Sequence, residues 1–147
     1  MSMDGRLHMT RRFPRPPEDV FAVLTGHDTL LRWWGPEGTT IADNDLDFSR
    51  EGPWFAVMVS PGGDAAKVTG AVREVRPPRH VEFTLAFDMG AMGMGPESVI
   101  RFELTPESGG TRLDLIQTGL DPAHIEDMMN KGWNSALARL EKLLTTG

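Results

Sequence analysis

A chain of 147 residues without a single Cys is long enough to bury a core as one domain, and it excludes disulfide scaffolds, thiolate metal sites and thiol catalysis. The net charge of −6 argues against nucleic acid as a partner, because phosphate binding needs a basic surface. No apolar run approaches the roughly 18 residues of a membrane span, Met1 to Thr10 lacks the apolar stretch of a secretory signal, and a reducing, cytoplasmic setting fits these features.

Leu7 to Phe13 reads as a first strand, stopped by Pro16-Pro17. Pro17 suits a first helical turn and opens a short helix from Glu18 to Leu24, with Val20, Phe21, Val23 and Leu24 as its buried side. A second short helix is expected from Asp28, as N-cap, to Trp34, ended by Gly35-Pro36. Thr39 to Phe48 alternates as a strand would, placing Ala42, Asn44, Leu46 and Phe48 on one face and Asp43, Asp45 and Asp47 on the other. Trp54 to Ser60, Lys67 to Arg76, Val81 to Asp88, Ser98 to Thr105 and Thr111 to Thr118 are five more strands, separated by Gly- and Pro-rich turns.

The last element has the clearest pattern. Asp121 suits an N-cap and Pro122 a first helical position. Ile125, Met129, Trp133, Ala136, Leu140 and Leu144 then recur every three or four residues, which predicts one amphipathic helix from Pro122 to about Leu144. Gly132 inside it is unfavourable for a helix and points to close approach by another backbone or a ligand. Short connections imply antiparallel neighbours, so the fold class is α+β: about seven curved antiparallel strands gripping a long C-terminal helix.

These residues resemble the START-like (SRPBCC) superfamily, in the branch similar to the C-terminal domain of the activator of the heat-shock-protein-90 ATPase. The resemblance lies in Pro16-Pro17-Glu18-Asp19-Val20-Phe21, Leu31-Arg32-Trp33-Trp34-Gly35-Pro36, Gly52-Pro53-Trp54-Phe55-Ala56-Val57-Met58, Gly70 to Pro78 with Val81-Glu82-Phe83-Thr84, Gly110-Thr111-Arg112-Leu113 and Gly132-Trp133. It spans roughly Leu7 to Leu144; Glu51 departs from the family's usual Gly. It implies a helix-grip fold with a deep hydrophobic pocket, and says little about chemistry, since the superfamily includes both binding proteins and cyclases.

The candidate site is that cavity. Trp54 and Met58, and Phe83, Leu85 and Phe87, share strand faces; Met129 and Trp133 oppose them from the helix, and Trp33 and Trp34 are expected near one mouth. Phe48 joins the apolar lining, and Asn44 or Gln117 is expected to orient one polar group of a ligand. The loop Asp88 to Pro96 interleaves Met89, Met92 and Met94 with Gly, which suits a lid or an apolar contact. Asp43, Asp45 and Asp47 read as a solvated row rather than a calcium site. His8, His27, His80 and His124 lack metal-ligand spacing, and no nucleophile elbow or phosphate loop is present.

Binding of a small hydrophobic molecule is therefore the leading expectation, with no cofactor and no metal. A cyclase- or aromatase-like enzyme is the alternative and would need a titratable group inside, for which Glu74 and His124 are the candidates. A chaperone-interacting protein ranks third. Phe55, Val57 and Val59 form an apolar stripe on the other strand face, compatible with a homodimer.

Overall fold

The computed structural model describes residues 5–88, 90–120 and 129–145. Seven strands form one antiparallel sheet: β1 (Gly5–Phe13), β2 (Thr40–Asn44), β3 (Gly52–Val59), β4 (Ala65–Arg76), β5 (His80–Asp88), β6 (Ser98–Glu107) and β7 (Gly110–Leu120). Their order across the sheet is β1-β7-β6-β5-β4-β3-β2. Consecutive strands from β2 to β7 are thus neighbours, as their short turns require. β1 and β2 sit at opposite edges, and α1 (Pro17–Thr25) and α2 (His27–Trp33) carry the chain between them. That crossing lays both short helices over one face of the sheet.

Alternation along the strands decides which face is covered. Ser98, Ile100, Phe102 and Leu104 of β6 are buried, as are Thr111, Leu113, Leu115 and Gln117 of β7. The helix α3 (Lys131–Thr145) completes the layer with Trp133, Ala136, Leu137, Leu140 and Leu144 buried on one stripe. Met129 and Asn130 precede it as a π turn; the expected cap at Asp121-Pro122, with His124 and Ile125, lies outside the described residues. Register shifts between Ile41 and Asn44 on β2 and between Val72 and Glu74 on β4 are the irregularities that bend and twist a sheet around such a helix.

Gly70 on β4 faces Trp54 on β3. A Cβ there would lie 1.8 Å from the carbonyl oxygen of Thr84, so only glycine fits. The open space lets the Trp54 indole N–H reach across β4 and donate to that same oxygen at 3.2 Å.

Two local expectations fail. The strand expected over Thr39 to Phe48 stops at Asn44. Asn44 Oδ1 accepts the Leu46 N–H at 3.1 Å and Asn44 Nδ2 donates to the Ala42 carbonyl at 2.9 Å, so a side chain takes the place of the ladder. The chain then leaves the sheet and buries Leu46 and Phe48 completely, while Ala42 stays exposed. The three acids do not form a row: Asp45 accepts the Phe55 N–H and Asp47 accepts the Ser49 N–H. At α2, the N-cap is Gly26 without any side-chain cap, and Asp28 lies in the first turn. Thr29 Oγ1 instead ties the helix start back to the Val23 and Gly26 carbonyls.

Candidate functional site

The site starts at the end of α2. The Trp34 N–H closes the helix on the Leu30 carbonyl at 2.9 Å, and Gly35, with φ at +88°, turns the chain into Pro36. Arg139 of α3 then holds this turn. Its Nη1 donates to the carbonyl oxygens of Trp34, Gly35 and Pro36 at 3.2, 2.9 and 3.0 Å. A cation among the last carbonyls of a helix also favours the helix dipole. Burial lowers the Arg139 pKa below the ordinary guanidinium range, with the charge of Glu37 opposing that shift. The Glu37 N–H donates to Ser135 Oγ at 2.7 Å, a second tie between turn and helix.

Behind this turn, aromatic rings are packed against one another. Phe48 stacks on Phe83 with centroids 4.3 Å apart, and Trp54 meets Phe48 edge-on at 5.2 Å. Trp33 is fully buried against Phe102 and donates its indole N–H to the Val23 carbonyl at 3.1 Å. Trp34 touches Phe48, Trp54, Phe83 and Trp133 at centroid distances between 5.5 and 6.1 Å.

In front of Trp34 the packing stops. A hollow of about 170 Å³ lies between the Trp34-Gly35-Pro36 turn, the start of α3 and the sheet. Met129, Gly132, Trp133 and Ala136 line it from the helix side, and Met58, Val68, Leu85, Phe87 and Gln117 from β3, β4, β5 and β7. Among the described residues a Cβ on Gly132 would meet nothing within 4 Å, so of these none closes on this glycine, and it borders the hollow. Phe87 is 38% exposed, which puts one rim of the hollow at the end of β5.

The structure therefore divides the residues singled out from sequence. Trp34, Met58, Leu85, Phe87, Gln117, Met129 and Trp133 come together around the hollow. Phe48, Trp54 and Phe83 fill the core behind it instead, in ring contact with one another, and Trp33 is fully buried against Phe102 rather than at a mouth. Asn44 stands apart, closed on its own backbone neighbours at the sheet edge. Met92 and Met94 are exposed and do not line the hollow, although the Gly95 N–H bonds the Phe87 carbonyl and folds their loop back beside the rim. Met89 lies outside the described residues. Gly35, Pro36, Val68 and Ala136 were missed as lining, and Arg139 as the residue that fastens the turn. The helical stripe already marked Ala136; a lone Arg on an amphipathic helix gives no signal that it will hold the three carbonyls of a turn.

Gln117 is the polar exception in the lining and is 1% exposed. Its Oε1 accepts the Trp133 indole N–H at 2.8 Å, and its Nε2 donates to Ser98 Oγ at 2.9 Å. Among the described lining residues none carries an ionisable side chain. The described titratable groups sit elsewhere. Glu74, once a candidate acid for the interior, is paired with His80 on the solvent side, and the hydrogen bond from His80 lowers its pKa. His8 meets Asp114 at 3.0 Å, and His27 meets the Leu46 carbonyl at 2.6 Å. Burial works against the Asp114 charge, but hydrogen bonds from His8, Thr10 and Arg112 outweigh it and lower the pKa. The stripe on β3 is half-buried, with Lys67 Nζ 5.3 Å from the centre of the Phe55 ring. No described helix is long and apolar enough to cross a membrane.

Comparison with solved structures finds the same architecture. The crystal structure of the AHSA1 protein from Silicibacter pomeroyi is 37% identical, with a TM-score of 0.89 over 97% of this chain and 99% of that one. A protein from Nitrosomonas europaea is 25% identical with a TM-score of 0.78, over 99% and 97% of the two chains. One from Chromobacterium violaceum, 23% identical with a TM-score of 0.84 over 95% and 96%, shares the fold. No curated protein matches. The family model described as activator of Hsp90 ATPase homolog 1-like protein matches residues 14–145. The chain belongs to this family, within the START-like fold.

Proposed function

We propose that the protein binds a small, uncharged, hydrophobic molecule in the hollow between sheet and α3. The observation that carries this reading is the break in packing at Trp34: tightly packed rings on one side, and on the other an apolar-lined space of about 170 Å³. An engineered apolar cavity of about 150 Å³ stays dry and takes up benzene, so this volume suits a molecule of one or two rings. Withdrawing each 100 Å² of apolar ligand surface from water contributes about 2.5 kcal/mol. START-like family members commonly bind hydrophobic ligands, which supports the same reading. The described lining offers no acid or base for proton transfer, so a binding role is favoured over a cyclase role. The Met-Gly loop serves in this reading as a lid or contact at the rim, which the hydrogen bond from the Gly95 N–H to the Phe87 carbonyl supports.

Native mass spectrometry of the purified chain, followed by extraction, tests this. A stoichiometric apolar molecule, or a rise in melting temperature with neutral one- and two-ring compounds, is the expected result. A chain that carries nothing and whose melting temperature no such compound moves would contradict it.

A further inference from the structure

The rings behind Trp34 meet one another: Phe48, Trp54 and Phe83 are in mutual contact, and Phe102 touches both Trp33 and Trp133. At the hollow that series breaks off. Trp133 has Trp34 at 5.8 Å and Phe102 at 6.0 Å, and it also lines the hollow. Phe87 lines the hollow from β5, is 38% exposed, and has no ring contact with any described residue. Met58 and Met129, both half-buried, line it as well. A Cβ built on Gly35, another lining residue, would lie 2.8 Å from Met58 Cε, so the thioether end of Met58 reaches the wall of the hollow. A thioether is polarisable and contacts aromatic rings favourably, often at the ring edge. Aromatic pairs likewise gain beyond the area they bury. A saturated ring collects neither gain. The polar side chain of the described lining, Gln117, has its oxygen on Trp133 and its nitrogen on Ser98, so ring contacts rather than hydrogen bonds are left to discriminate.

We propose that the hollow selects an aromatic ligand over a saturated one of the same frame, its ring meeting Phe87 and Trp133 and the thioethers of Met58 and Met129. This rests on the hollow being the binding site, and it names the class of molecule that the site takes. Burial alone ranks the two the other way, because the saturated ring carries more hydrogen, has more apolar surface and gains more on leaving water. A preference for the aromatic ring therefore separates specific ring contacts from plain hydrophobic uptake.

The test uses the full chain with methyl-labelled methionine and two probes on one fused-ring frame, indane and its saturated counterpart cis-hydrindane. Indane is expected to bind about threefold more tightly or better, the order of one or two sulfur–ring contacts. The ring current of bound indane should shift the ε-methyl resonances of Met58 and Met129 further than hydrindane does. Exchanging both residues together, Met58→Leu with Met129→Leu, nearly conserves volume and removes the sulfur. In that double variant the affinity ratio should fall by about half or more. If it does not fold, the methyl resonances of the native chain decide. Hydrindane bound as tightly as indane, or more tightly, would overturn the aromatic assignment while leaving the binding reading intact. An indane preference that keeps its full size in the double variant, or that leaves both methyl resonances where hydrindane leaves them, would overturn the role of the thioethers. Binding of neither probe would overturn the proposal together with the reading beneath it.

Discussion

The two sides of Trp34 are made from the same kinds of residue and end in different states. Behind it, Phe48, Phe83 and Trp54 are in ring contact, Trp33 packs against Phe102, and both indole N–H groups there are satisfied. In front of it, Trp133, Met58, Phe87 and Met129 surround space. The difference comes from backbone placement. Phe48 leaves the sheet and is driven into the core from a segment fastened to α1, its N–H on the Thr25 carbonyl at 2.9 Å. At the start of α3 two of the residues facing the gap, Gly132 and Ala136, are too small to fill it. Composition thus says that an apolar interior exists; which half of it stays open depends on small residues and on how far the helix stands from the sheet.

Substitutions on the two sides should separate them. Phe48→Ala removes a stacked ring from the filled half and should lower stability by about 3–5 kcal/mol in urea unfolding. Met58→Ala, beside existing space, should cost less than half as much, with its main effect on ligand affinity. Equal losses would erase the distinction. Gly70→Ala forces a methyl against the Thr84 carbonyl and should cost roughly 3 kcal/mol, the upper range for overpacking. Arg139→Met leaves the carbonyls of the Trp34-Gly35-Pro36 turn without their donor. A loss of about 1–3 kcal/mol is expected, with weaker ligand binding because the turn forms one wall. Gly132→Ala should act in the opposite sense, raising stability by about 0.5–1 kcal/mol through helix propensity while excluding the larger two-ring ligands. A loss of stability there would mean that the space is not empty.

The smallest effect lies outside both halves, at Asp114. Its pKa is lowered in the folded chain. Its stabilising contribution is therefore fully present above the ordinary carboxylate value near about pH 4 and is lost as pH falls through the lower folded value. The gap in melting temperature between the native chain and Asp114→Asn should be constant near neutrality and close below about pH 4. A gap that persists at lower pH would contradict the assignment.

The succession of strands along the chain and the helical stripe were legible because period-two and period-three-to-four patterns are dictated by backbone geometry. Leu46 and Phe48 show where that legibility ends. Their alternation with Asp45 and Asp47 reads as a strand, but Asn44 and the acids close local side-chain bonds that compete with the ladder. The split between filling and lining residues was not readable either. Trp33 and Trp34 are adjacent and identical in type, and only the end of α2 after Trp33 sends one into the core and the other to the hollow. Gln117 was legible as a polar group at a buried strand position; the claim of Trp133 on its oxygen needed the tertiary contact.

The most direct test of the open half is a crystal of the protein pressurised with xenon, an atom that settles in dry apolar space. The expected result is xenon density bounded by Trp34, Met58, Met129 and Trp133, with the Phe48–Phe83 side unoccupied. Side chains closed over that space, with no xenon between them, would contradict the account.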